Sequence, residues 1–118
     1  MKLDKETQEK LQELQLAEQN LQNCLLQRQA FESELSETKS TLDEVSHSSG
    51  DIYKITGQIM LKTDKEKVYK ELKEKEQVFS LRLKAIENQE KIFLSKIERL
   101  RKDIDEKIKN SEKVNSQK

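Results

Sequence analysis

The 118-residue sequence contains no proline and no tryptophan, and it has only two glycines. Because proline and glycine are the residues that most strongly disfavour a helix interior, long stretches of this chain can stay helical without a break. Only 32% of the residues are hydrophobic and 4% are aromatic, whereas 39% are charged. This composition does not suit the thick core of a compact globule, and it predicts that burial occurs along narrow seams.

The chain has one cysteine, Cys24, and one histidine, His47. A single cysteine excludes an intrachain disulfide, and the two residues together are too few for a Cys/His zinc site. The sequence also lacks a glycine-rich phosphate loop and a Ser/His/Asp set, so we expect no enzyme activity, no cofactor and no metal. It has no apolar signal core at its N-terminus and no apolar run of about 20 residues, which predicts a cytoplasmic protein.

Charge is distributed unequally along the chain, although 23 basic and 23 acidic residues give a formal net charge of zero. Residues 1–46 carry 5 basic and 10 acidic residues, a net charge of −5, whereas residues 51–118 carry 18 basic and 13 acidic residues, a net charge of +5. The opposite charges favour antiparallel pairing of the two halves. Nucleic-acid binding by the basic half is an alternative, but its Lys and Arg residues are interleaved with Asp and Glu.

In both halves, mostly apolar residues recur at alternating steps of three and four, which is the heptad pattern of a coiled coil. We call each such row of residues, which is expected to face the other helix, a seam. This sustained period argues against disorder, the competing interpretation of a highly charged composition. The first seam comprises Leu3, Thr7, Lys10, Leu14, Ala17, Leu21, Cys24, Arg28, Phe31, Leu35, Thr38, Leu42 and Val45. The second comprises Val68, Leu72, Glu76, Phe79, Leu83, Ile86, Glu90, Phe93, Ile97, Leu100, Ile104 and Ile108. We interpret Lys10 and Arg28 as packing their stems while their charges reach water.

These seams predict a mainly α fold, a long antiparallel two-helix coiled coil with a small β-hairpin between the helices, as a single domain over residues 1–118. We expect an N-terminal helix over 1–46, a linker and hairpin over 47–63, and a C-terminal helix over 64–108. Thr63 is the expected N-cap of that second helix. Apolar positions thin out afterwards, so we expect residues 109–118 to fray. Both chain ends are expected to lie together at a distal tip.

The segment between the helices has the pattern of a β-hairpin. β-branched and apolar residues surround Gly57-Gln58, which fits a two-residue turn with glycine first and places Ile55 opposite Met60. A lone two-stranded hairpin is marginal in water, and apolar residues occupy both faces of this one. The sequence therefore predicts assembly with other chains through the hairpin. The predicted oligomerisation residues are Ile52, Tyr53, Ile55, Gly57, Ile59, Met60 and Leu61.

The segment 51–62 resembles the hairpin of the prefoldin β subunits of archaea and of their eukaryotic β-class relatives. The residues in matching places are Tyr53, Lys54, Gly57 and Lys62. A second similar segment, Leu81-Arg82-Leu83-Lys84, continues to Lys91. An α-class subunit would carry a second hairpin, for which the chain has no room between Val45 and Thr63.

The resemblance implies a hexamer of two α-class and four β-class subunits, whose hairpins form a joint β-barrel platform that carries coiled-coil tentacles. It implies an ATP-independent molecular chaperone, a holdase, that binds unfolded proteins at the coiled-coil tips and delivers them to a group II chaperonin. The implied partners are prefoldin α-class subunits, other β copies, unfolded clients and the chaperonin, without nucleic acid or membrane. The residues expected to bind clients at the tip are Leu3, Leu11, Leu14, Leu16, Ile104, Ile108 and Val114.

Two alternatives remain open at this point. Packing in the seam alone is a sufficient role for Leu11, Leu14, Ile104 and Ile108, whereas Leu16 lies off the seam. The alternative function is a structural coiled-coil adaptor, or spacer, that docks to a scaffold through its hairpin. A holdase should suppress aggregation of many unfolded proteins, while an adaptor should bind one folded partner.

Overall fold

A computed structural model describes the backbone of residues 4–116 and the side chains of residues 4–112. Helix α1 spans Lys5–His47, strands β1 and β2 span Ile52–Thr56 and Ile59–Thr63, and helix α2 spans Lys65–Ser116. The two strands form an antiparallel hairpin between the two long helices. The predicted fold class is therefore confirmed. No helix within residues 4–116 is long and apolar enough to cross a membrane.

The chain forms two compact units, and the first, the hairpin unit, comprises residues 28–85. Its helical segments pack through the predicted seam residues. Leu42 and Val45 are buried, and the rings of Phe31 and Phe79 lie with their centroids 6.3 Å apart. Aromatic pairs at such separations stabilise a contact beyond the area that they bury. Thr38 is also buried, and its hydroxyl donates to the carbonyl of Glu34 at 2.7 Å, which satisfies a polar group inside the seam.

The second unit, the terminal unit, pairs the described residues up to 27 with residues from 86 onward. Its seam carries the buried residues Thr7, Ala17, Cys24, Ile86, Ile97, Leu100 and Ile104. The buried residues on α1 are small, whereas those on α2 are large aliphatic residues. Every residue that the heptad pattern put on the seam within residues 4–112 is buried or half-buried.

Ion pairs cross between the helices of the terminal unit. They join Glu6 to Lys107 at 2.6 Å, Lys10 to Asp103 at 3.4 Å, and Glu18 to Arg101 at 2.9 Å. As residue numbers rise on α1 they fall on α2, as expected for antiparallel helices. The interpretation that the charge of Lys10 only reaches water was incomplete, because its ammonium group lies beside the carboxylate of Asp103. Lys10, Asp103 and Lys107 are half-buried, whereas Glu6, Glu18 and Arg101 are exposed, so these solvent-accessible pairs orient the helices more than they stabilise them.

Helix α2 continues to Ser116, beyond the end at residue 108 that the thinning apolar pattern predicted. The fraying expected of residues 109–118 stays a prediction. Neither proline nor glycine occurs in this segment, so nothing in its sequence forces the helix to end. Each added residue of a continuing helix gains one backbone hydrogen bond without a new nucleation step.

An aspartate lies directly before the first residue of each helix and caps it. The carboxylate of Asp4 accepts the backbone N–H of Thr7 at 2.7 Å, and that of Asp64 accepts the N–H of Glu66 at 3.4 Å. Asp64, not Thr63, is therefore the N-cap of α2, because Thr63 is the last residue of β2. Hydrogen bonds from the side chain and the backbone of Thr7 lower the pKa of the Asp4 carboxyl below its usual range. The cap of α1 thus contributes at neutral pH and is lost as the pH falls through the folded-state pKa.

Replacing Asp64 with Ala should lower the stability of the subunit by about 1 kcal/mol, because the first turn of α2 loses its side-chain acceptor. Thermal unfolding followed by circular dichroism at a fixed protein concentration measures the change. Thr63→Val is the matched control, since it removes only a hydroxyl and keeps a β-branched side chain in β2. Equal losses in the two variants would contradict the assignment of Asp64 as the cap.

Candidate functional site

The hairpin has the register that its two-residue turn predicts. Ile55 pairs with Met60 and Thr56 with Ile59, while Ile52 pairs with Thr63 at the base. Since side chains alternate between the faces of a strand, this register divides the hairpin into two faces. The first face carries Tyr53, Ile55, Met60 and Lys62, and the second carries Ile52, Lys54, Thr56, Ile59, Leu61 and Thr63.

Large apolar side chains are exposed on both faces of the hairpin. On the first face, Ile55 is 71% exposed and Met60 is 64% exposed. On the second face, Ile59 is 61% exposed and Leu61 is 54% exposed. Only Ile52 and Thr63, at the base, are half-buried. A small two-stranded ribbon that is apolar on both sides has the properties of an association surface, because neither face is covered by the rest of the hairpin unit.

The turn of the hairpin depends on a glycine. Gly57 has a φ of 63°, and it is the one residue of the described chain with a positive φ. With Gln58 at negative φ, this is the pattern of a type II′ turn, whose twist matches that of the flanking strands. A Cβ atom at position 57 would meet no heavy atom within 4 Å, so the requirement for glycine is conformational and not steric.

Basic side chains make ion pairs and hydrogen bonds at the base of the hairpin and between the adjoining helix ends. Lys54 lies 3.9 Å from Glu71 of α2, and Lys62 lies 3.6 Å from Asp51. Lys65 donates to the carbonyl oxygens of Ser46 at 3.3 Å and Ser48 at 2.9 Å. A cation at this position satisfies carbonyls at the end of α1 and complements the helix dipole. The first turn of α2 and the end of α1 are thereby fixed to each other at the base of the hairpin.

The predicted client-binding residues differ in their exposure. Leu16 is 58% exposed, Leu11, Leu14 and Ile108 are half-buried, and Ile104 is 5% exposed. Leu3 lies outside the described residues, and the side chain of Val114 does so as well. The structure therefore brings Ile104 into the seam of the terminal unit and leaves Leu16 on its surface.

Sequence reasoning did not predict that several other apolar side chains of the helices are exposed. They are Leu26, Tyr69, Val78, Leu81, Ile92 and Leu94, and Ile92 is the most exposed of them at 65%. The signal that would have found them is the heptad itself, since each lies off the two seams. A large aliphatic residue at an outer position of a coiled coil is not required for pairing of the helices.

The lone cysteine lies against the other helix, and the lone histidine lies against its own. The thiol of Cys24 is buried and lies 3.8 Å from the amide oxygen of Gln89. Nδ1 of His47 lies 2.8 Å from the carbonyl oxygen of Asp43 at the exposed end of α1. Across the described side chains, no group of three or more His, Cys, Asp and Glu residues is arranged to hold a metal ion.

An antiparallel pair of long helices joined by a single apolar β-hairpin defines a class of coiled-coil proteins in which the hairpin connects the two helices. Residues 8–111 match the model of the prefoldin subunit family. The prefoldin subunit β of Sulfurisphaera tokodaii is 34% identical over 103 residues, which cover 86% of this chain and 82% of that protein. The prefoldin subunit β of Thermococcus kodakarensis is 38% identical over 97 residues, which cover 80% of this chain and 83% of that protein.

The crystal structure of the prefoldin β subunit from Thermococcus strain KS-1 superposes with a TM-score of 0.79 at 35% sequence identity, covering 87% of this chain and 92% of that one. The chain belongs to the prefoldin subunit family, in its β class. It is therefore a prefoldin chaperone subunit that assembles with other prefoldin subunits.

Proposed function

We propose that the chain is one of four β-class subunits in a hexamer with two α-class subunits, and that this hexamer is an ATP-independent holdase. It holds unfolded proteins at the ends of its coiled coils and passes them to a group II chaperonin. The cytoplasmic location that the sequence predicts stays a prediction.

The exposed hairpin is the observation that supports assembly. Four large apolar side chains, Ile55, Ile59, Met60 and Leu61, are each more than half exposed and lie on both faces of one ribbon. Covering such a surface contributes about 25 cal/mol of favourable free energy per Å² of apolar area that is buried. Because the strands also carry unpaired edges, neighbouring hairpins can extend the sheet while they cover these side chains.

Exposed Leu16 supports client binding by the terminal unit. It lies off the seam, so its side chain does not serve the pairing of the helices, and 58% of it remains exposed. Half-buried Leu11 and Leu14 lie within the same turns of α1, but at 100° per residue they point about 140° or more away from Leu16, so Leu16 offers a separate apolar contact. One such contact is weak, but several copies in one assembly bind a single client through effective concentration. Contacts of this kind need no ATP, since they release and rebind by themselves.

Replacing Leu16 with Gln should weaken the suppression of aggregation without preventing assembly. The chain is co-expressed with an α-class partner, and light scattering from a chemically denatured client is followed after dilution without ATP. Because each β copy loses one contact, we expect that about two- to fivefold more complex is needed for equal protection. Leu26→Gln is the matched control, because Leu26 is 56% exposed on the same helix.

The predicted order is that Leu16→Gln protects less well than Leu26→Gln, which remains close to the wild type. Equal protection by all three complexes would contradict the assignment of Leu16. If the wild-type complex protects no unfolded client and instead binds one folded protein, the chain is the structural adaptor that we considered as the alternative.

A further inference from the structure

We propose that an exposed basic face of α2 in the terminal unit is a second client-contact surface, and that it selects acidic, apolar segments of unfolded proteins. The basic face consists of Lys91, Ile92, Ser95, Lys96 and Arg99, which together line a shallow groove of about 400 Å³. The proposal rests on the holdase function proposed above, and it names the class of client segment that this surface takes.

Helix geometry places an apolar side chain at the centre of this face. Positions 92, 95, 96 and 99 follow the spacing of residues that share one side of a helix. Ile92 is 65% exposed, although an isoleucine there contributes nothing to the seam. The groove beside it is formed by side chains of α2 alone, so α1 does not cover it. The face therefore offers an apolar contact that the packing of the helices leaves open.

The positive charges of this face are unneutralised. Where acidic residues of α1 lie within reach, α2 pairs its cations with them, as Arg101 does with Glu18 and Lys107 with Glu6. Among the described residues, by contrast, Lys91, Lys96 and Arg99 form no ion pair.

Acidic residues lie at the two ends of this face but not within it. At 100° per residue, Glu90 and Glu98 lie about 120° or more around α2 from Ile92. Glu87 lies one turn before the groove, and Asp103 lies one turn after it and pairs with Lys10. The groove itself is lined by three cations, of which Lys96 is half-buried, and by no anion. A positive surface of this kind attracts negatively charged segments and suppresses the binding of positively charged ones.

An unfolded segment that combines Asp or Glu with Leu, Ile or Phe matches both features. Its apolar side chain covers Ile92, and its carboxylates lie beside Lys96 and Arg99. The contact is exposed, so the charges contribute specificity more than affinity. A single nucleic-acid strand is a poorer match, since the face has no aromatic side chain on which a base could stack.

The test measures peptide binding to the complex assembled with an α-class partner. Two short fluorescein-labelled peptides carry leucines at the same positions, with glutamates between them in one and lysines in the other. Fluorescence anisotropy at low salt should give a dissociation constant roughly tenfold smaller for the acidic peptide. The double variant Lys96→Glu/Arg99→Glu should abolish or reverse this preference, and Ile92→Ser should weaken acidic-peptide binding roughly fivefold.

The control variant is Lys67→Glu/Lys70→Glu, which makes the same change in charge elsewhere on α2, at two exposed lysines that form no ion pair among the described residues. It should keep the wild-type preference, and the preference itself should decline with added salt. All complexes are confirmed as intact assemblies before binding is measured.

Equal affinity of the wild type for both peptides would overturn the proposal, and so would a preference that survives Lys96→Glu/Arg99→Glu. Tighter binding of a poly-uridine strand that the same double variant removes would also overturn it, because the face would then be a nucleic-acid site. If the wild type suppresses aggregation but shows no peptide preference, this proposal fails alone. If it neither binds a peptide nor suppresses aggregation, the proposed holdase function fails with it.

Discussion

Replacing Ile59 and Leu61 together with lysine should release the subunit from its assembly while both helices remain folded. These side chains are 61% and 54% exposed on the second face of the hairpin, so the isolated subunit loses almost no packing. In the assembly the same positions would carry charges into an apolar contact. The loss of apolar burial alone is about 3 kcal/mol per subunit, which corresponds to at least a hundredfold in the dissociation constant.

Native mass spectrometry after co-expression with an α-class partner measures this effect, and it also tests the proposed stoichiometry of two α-class and four β-class subunits. Circular dichroism checks that the helices persist. Leu16→Lys/Leu26→Lys is a closely matched control, since it places the same two charges at leucines of 58% and 56% exposure on α1. That control should leave the complex whole. A complete assembly formed by the hairpin variant would show that association occurs through another surface.

Lysine substitutions on the first face, at Ile55 and Met60, test whether both faces of the hairpin are covered in the assembly. Ile55 and Met60 form a cross-strand pair and are more exposed than the residues of the second face. If Ile55→Lys/Met60→Lys leaves the complex intact, the first face is open to solvent in the assembly and only the second is an interface.

Replacing Gly57 with Val should weaken assembly far more than any change at Gln58. A φ of 63° is accessible to glycine, but it costs an L-residue about 1–2 kcal/mol and a β-branched residue more. Because a Cβ at this position meets no neighbouring atom within 4 Å, crowding does not contribute to this cost. The strain lies in the turn that sets the register, so a shifted hairpin would exchange the residues of its two faces.

A graded set of variants at position 57 distinguishes the cost of a positive φ from other effects of replacing glycine. Asparagine tolerates positive φ better than other residues with a side chain, so Gly57→Asn should lie between the wild type and Gly57→Val. Gln58→Ala should resemble the wild type. Analytical ultracentrifugation over a dilution series gives the dissociation constant of each complex. The same constant for Gly57→Val and Gln58→Ala would contradict the role of the turn.

The seams could be read from the sequence because a coiled coil is specified by local spacing. Apolar residues that recur every three or four positions lie on one side of a helix and face its partner, and this rule does not depend on the identity of the partner. Ile97 and Leu100 are buried as it predicts. The same holds for the register of the hairpin. A two-residue turn with glycine first leaves one pairing, and Ile55 lies opposite Met60 accordingly.

Other features depended on contacts between segments that are distant in the sequence. Nothing local predicts that Lys65 donates to the carbonyls of Ser46 and Ser48, or that Lys10 pairs with Asp103, because these distances are set only when the helices meet. The cap of α2 was assigned one residue too early, since strand pairing with Ile52 keeps Thr63 in β2 and leaves the capping position to Asp64.

The sequence by itself therefore determined the two helices, their seams and the hairpin with its register, because each of these follows from the spacing of neighbouring residues. The family was predicted from the resemblance of the segment 51–62 and not from spacing. The heptad also put Ile104 on the seam and Ile92 off it, and they are 5% and 65% exposed accordingly. Only the tertiary structure decided which side chains meet between distant segments. The partner of Lys10 and the carbonyls that Lys65 reaches depend on how the two helices pack, and the spacing along one helix carries no information about that.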